Sequence, residues 1–134
     1  MALSAQISRR ELERVGQLAY AGKQINVMLC YANTNTYGAE TLISTWMTTE
    51  LNGNGYSRHI SSAGSGSYNT ATARFELPAI SAQFYASGSS LLFDHVVVWV
   101  EGSLYPHSVI VESGAVTLAA GASRSYKLVL TTDD

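Results

Sequence analysis

The chain has 134 residues, of which 46% are hydrophobic and 13% charged, and a formal net charge of −2. This describes one globular domain with a real core and excludes a disordered chain. It also excludes an electrostatic grip on nucleic acid, and no apolar run nears the roughly 18–20 residues that a membrane helix requires.

The start, Met1-Ala2-Leu3-Ser4, lacks the basic-then-apolar order of a signal peptide. Residues 8–21 carry the strongest helix signature. Ser8-Arg9-Arg10-Glu11 has the form of a capping box, with Ile7 and Leu12 placed as a hydrophobic staple. Leu12, Val15, Leu18 and Ala19 then recur at helical spacing, and Gly22 is a natural stop. Arg9, Arg10, Arg14 and Lys23 supply four of the eight basic residues, so residues 1–23 carry net +2 and residues 24–134 net −4. The expected organisation is therefore an N-terminal helical segment, 1–23, ahead of a β-sandwich domain, 24–134.

Past Gly22 the period changes to two. Ile25, Val27, Leu29 and Tyr31 alternate with Asn26, Met28 and Cys30, which predicts a strand with one buried face. Leu42, Ile43, Trp46 and Met47 predict a short helix over 41–47, and Asn52-Gly53-Asn54-Gly55 is a turn. Strands are expected at 56–60, 71–77, 80–85, 91–100, 107–111, 116–118 and 125–130, with a flexible tip at 61–67. Val96-Val97-Val98-Trp99-Val100 is the most apolar run, so its strand should be central. The expected fold class is mainly β, an antiparallel β-sandwich of jelly-roll type with one N-terminal amphipathic α-helix and a short second helix.

Little catalytic chemistry is visible. His59, His95 and His107 fall in different predicted strands or at their edges, and only Asp94-His95 places a second ligand type nearby. Adjacent strand residues face opposite ways, so that pair should not jointly grip one ion, and each histidine reads as satisfied within the fold. A metal enzyme built from all three histidines would require bound metal. No G-x-S-x-G elbow occurs, and Ser65 lies in a Gly-Ser tip. Cys30, the lone cysteine, excludes an internal disulfide and reads as a small buried hydrophobe. Neither Gly53-Asn54-Gly55 nor Gly64-Ser65-Gly66 completes a phosphate loop, and no cofactor is implied. Eight tyrosines and two tryptophans suit an interface or a sugar-stacking surface, with Tyr37, Tyr56, Tyr68 and Tyr105 in or beside loops.

The segment Glu50-Leu51-Asn52-Gly53-Asn54-Gly55-Tyr56-Ser57-Arg58 has the pattern E-x-x-G-x-G-Y-x-R. With the run 91–98 and the closing segment 116–122, it resembles small β-sandwich structural proteins of tailed bacteriophages over residues 25–131. Where that family often carries Trp-Gly before its central strand, this chain has Phe84-Tyr85-Ala86-Ser87-Gly88. The resemblance implies a non-enzymatic virion protein, an accessory that decorates or cements the capsid, acts as a homo-oligomer and touches other virion proteins. A tail- or neck-attached subunit is the alternative. So is a module binding a host-surface glycan through loops 33–38, 61–68 and 102–107. Interface candidates are Arg9, Arg10, Leu12, Arg14, Val15 and Leu18 on the helix, with Tyr37, Tyr56, Tyr68 and Tyr105 in the loops. The helix would either dock on a partner or cover its own sandwich.

Overall fold

The computed structural model describes residues 8–132. In chain order the elements are α1 (Arg9–Tyr20), β1 (Gln24–Cys30), α2 (Ile43–Met47), β2 (His59–Ser62), β3 (Ser67–Asn69) and β4 (Arg74–Glu76). They continue with β5 (Ile80–Tyr85), β6 (Leu91–Val100), β7 (Ser108–Leu118), β8 (Ser123–Leu128) and β9 (Thr131–Thr132). The described residues are mainly β, with antiparallel pairing throughout and two helices.

A four-stranded sheet in the order β2-β1-β6-β7 forms the centre. As its apolarity predicts, β6 is an interior strand. The inner face of the sheet, with Val27 and Leu29 of β1 and Val96 of β6, meets Ala82 and Phe84 of the β5-β8 pair in one core cluster. A second cluster joins Ile25, Val98 and Val100 to Phe75, Leu77 and Tyr20. Burying only one face of β1 was the expectation, yet every residue from Ile25 to Cys30 is buried. The reason is α2, whose Ile43 and Trp46 cover Met28, Cys30 and Val97 on the outer face.

Ser8 caps α1, accepting a hydrogen bond from the Glu11 N–H at 3.1 Å. The reciprocal half of the expected box is absent, because Glu11 turns to Arg14 instead. Only part of the expected apolar stripe meets the core, where Ala19 packs on the cluster around Phe75. Gly16 and Tyr20 are buried, whereas Val15 and Leu18 are 44% and 67% exposed. A Cβ on Gly16 would stand 2.2 Å from Phe75 Cδ1, so the close approach itself selects this face.

Several strand limits also differ from the periodicity. The strand expected at 56–60 is β2, starting three residues later, and the tip residues Ser61 and Ser62 belong to it. The run 71–77 contracts to β4, because Thr70–Ala73 forms a turn with Ala73 at φ 56°. The last long strand starts two residues early, at Ser123. The two strands expected at 107–111 and 116–118 are one, β7, carrying an insertion.

That insertion shapes the centre of the molecule. Phe93 pairs with Val116 and His95 with Val111, so Asp94 alone opposes the four residues from Glu112 to Ala115. Side-chain parity along β6 reverses there: Leu91 and Phe93 enter the inner cluster before the bulge, and Val96 enters it after.

Candidate functional site

The opposed irregularities of β6 and β7 open a cleft of about 340 Å³, lined by Tyr31, Asn33, Asp94, His95, Val111, Glu112, Gly114 and Ala115. Asp94 is its anchor. Its Oδ1 accepts from the Ala32 N–H at 2.8 Å and lies 2.6 Å from His95 Nδ1, and its Oδ2 accepts from the Asn33 N–H at 2.8 Å. Burial pushes the Asp94 carboxyl up, but the bonds from His95, Ala32 and Asn33 outweigh it and hold it below its ordinary value. An ionised carboxylate only accepts, so His95 Nδ1 carries a proton and donates to it. The imidazole also packs on Trp46, ring centroids 5.0 Å apart. Asp94 and His95 are thus in direct contact although adjacent on β6, because the bulge interrupts the strict alternation.

On the other wall, Glu112 Oε1 accepts from Arg124 Nη2 at 3.1 Å and from the Tyr126 hydroxyl. Desolvation and the neighbouring Glu112 push the Tyr126 phenol up to about 12. Asn33 adopts φ 57° and Gly114 φ 100°, so both rims turn through the left-handed region. A bulge, a carboxylate–imidazole pair and a non-glycine residue at positive φ together form the most site-like arrangement in the fold.

The E-x-x-G-x-G-Y-x-R segment has a different task. Gly53, Asn54 and Gly55 all take positive φ and reverse the chain, and Asn54 O accepts from the Ser87 N–H at 2.8 Å. The return brings Glu50, Tyr56 and Arg58 together. Arg58 holds Glu50 through Nε at 3.0 Å and Nη2 at 2.6 Å, and Nη1 lies 3.4 Å from Asn26 Oδ1. The Tyr56 hydroxyl donates to Glu50 Oε2 at 2.7 Å and accepts from the Leu29 N–H at 3.1 Å. Pairing with β2 runs only from Gln24 to Val27 of β1, so this phenol replaces a missing strand partner. Burial, then Glu50, pushes the phenol far up, fixing it as a neutral donor.

The remaining reactive groups lie apart. His59 is opposite Val27 on β2, and His107 sits edge-on to Tyr20 with Nε2 3.3 Å from the Thr131 carbonyl oxygen. Among the described residues no three His, Cys, Asp or Glu side chains converge as metal ligands. Cys30 is fully buried, and desolvation pushes its thiol up to about 12.

Of the residues expected at an interface, Arg10, Arg14, Val15 and Leu18 are exposed on α1. The side chains of Arg9 and Leu12 lie outside the described part of the structure. Tyr56 is turned inward, its ring stacked on Phe84. Tyr37 is half-buried edge-on to Trp46, and Tyr105 is exposed beside Ala39 and Glu40. The Ile43 N–H to Leu104 O bond, 2.8 Å, ties the loop carrying Tyr105 to α2. Tyr68 lies elsewhere, its N–H 3.3 Å from Glu13 Oε1, so loops 33–38 and 102–107 come together without 61–68. The paired-bulge cleft has no motif in the sequence; its only signal is the adjacent pair Asp94-His95 inside an otherwise apolar strand. Compared with known protein families, curated proteins and solved structures, the chain matches none.

Proposed function

We propose that this chain is a non-enzymatic structural subunit of a tailed-phage particle, an accessory that decorates the capsid as a homo-oligomer. The observation that carries the reading is the double-sided character of α1. Gly16 and Tyr20 fix the helix to its own domain, while Val15 and Leu18 remain uncovered on another side. The occupant we assign to that stripe is the body of a second copy. Charge supports it: residues 1–23 carry net +2 and residues 24–134 net −4, so helix and body attract across a subunit boundary. Such a contact pairs two unlike surfaces and closes into a ring, with a trimer the leading form. The non-enzymatic part is supported by the burial of Cys30 and by the internal use of Glu50, Tyr56 and Arg58.

Light scattering on the purified chain is the first test, with an oligomer expected. The double variant Val15→Asp/Leu18→Asp should become monomeric while keeping its circular dichroism spectrum and thermal midpoint. A wild-type monomer, or an oligomer indifferent to the double change, sinks the interface. Mass-spectrometric counting against the shell protein in purified particles tests location. A ratio near that of the shell protein means decoration, a small copy number means tail or neck, and absence overturns the virion reading.

A further inference from the structure

The cleft between the β6 and β7 irregularities holds polar atoms that the fold leaves unused. The Glu112 side chain is only 16% exposed, and its Oε1 takes both internal bonds. Its Oε2 has no partner among the described residues. The His95 side chain is 12% exposed, and its Nε2 has none either, since the ring's one internal bond runs through Nδ1. Neither atom is sealed from solvent, so water meets both in the free protein and a ligand hydroxyl can take its place. Asn33 adds the opposite polarity: its Oδ1 accepts from the Tyr31 hydroxyl at 3.2 Å, leaving the Nδ2 donor free. Val111, 69% exposed, adds an apolar wall.

We propose that this cleft binds a neutral saccharide, whose hydroxyls donate to Glu112 Oε2, pair with His95 Nε2 and accept from Asn33 Nδ2. Hydroxyls both give and take hydrogen bonds, and sugar rings carry C–H faces that suit Val111. Anions are disfavoured by the two carboxylates, Asp94 and Glu112. An alkylammonium would satisfy the acceptors but leaves the Asn33 amide without an acceptor. The site does not rest on the oligomer reading and is separate from the loops carrying Tyr37 and Tyr105.

The test is titration of the ¹⁵N-labelled full chain, followed by amide and imidazole resonances. The probes are glucose, galactose and N-acetylglucosamine at millimolar concentration, with n-butylammonium as a separate arm. At least one sugar should shift Asn33, His95 and Gly114 saturably. Asn33→Gly keeps the backbone, because glycine adopts the required φ, and removes the donor; Glu112→Gln turns the free acceptor into a donor. Each should weaken binding about tenfold, as loss of one good hydrogen bond does. The proposal is overturned by any of three results. These are silence from all three sugars, shifts that survive both variants, or shifts produced by butylammonium and not by the sugars.

Discussion

Gly16 of α1 and the ring of Phe75 are in direct apposition, and no larger residue fits between helix and strand: a Cβ at Gly16 would lie 2.2 Å from Phe75 Cδ1. Gly66 meets the same ring, its Cβ position 2.2 Å from Phe75 Cζ. Two glycines thus make room for the Phe75 ring.

Gly16→Ala therefore sets two effects against each other. Alanine favours a helix over glycine by about 1 kcal/mol, whereas overpacking costs about 1–3 kcal/mol. A free helix would gain from the change; a docked one loses. We expect a net loss in denaturant unfolding, with an unchanged or larger value for Gly66→Ala.

Removing the phenol that closes the end of β1 leaves the Leu29 N–H without an acceptor and takes one donor from Glu50. Tyr56→Phe should cost about 1–3 kcal/mol. Arg58→Ala should cost about 2–3 kcal/mol, below the full value for a buried pair because both side chains keep some solvent. The double variant Glu50→Ala/Arg58→Ala should cost less than the sum of its single changes, as read in a thermodynamic cycle.

Asp94 couples the central strand to pH. Its folded-state value lies below its unfolded one, so its contribution is complete above the usual aspartate value and is lost as pH falls through it. Asp94→Asn should destabilise the protein by about 2–4 kcal/mol near neutral pH. The gap between variant and wild type should close on acidification, when the wild-type carboxyl takes up its own proton. Urea unfolding at several pH values reads both effects.

His107 acts at a higher pH. Burial pushes its imidazole down, and the Thr131 carbonyl opposes this in part. Tyr20 and Ser108 contact the ring, and Lys23 lines the same cleft, adding positive charge near it. The stability due to neutral His107 is complete above the ordinary histidine value of about 6.5 and is lost as pH falls through it. His107→Asn should remove that slope from the thermal midpoint between about pH 7 and pH 5, leaving the carboxylate-dependent fall at lower pH.

Much of this fold was legible because alternation and helical spacing report burial directly. The run 91–100 announced an interior strand, and Asn52-Gly53-Asn54-Gly55 announced a turn that does take positive φ. What escaped the sequence reading were relationships set by absence of a side chain or by distant pairing. Gly16 chooses the buried face of α1 by offering no Cβ, a signal that hydrophobic spacing cannot carry. The role of Tyr56 depends on a backbone N–H 27 positions away. The cleft escaped for the same reason: Asp94-His95 marks β6, but nothing local marks where β7 gains residues against it.

The extra length of β7 has a consequence for how this chain tolerates change. Pairing is secured independently on each flank, by Ser108–Val111 and by Val116–Leu118. A residue inserted elsewhere in the strand would turn every later side chain to the opposite face. Between Ser113 and Gly114 an added peptide is absorbed by slack that already exists, with both flanks still in step. That junction is where a tag or a foreign loop can be grafted without disturbing the sheet.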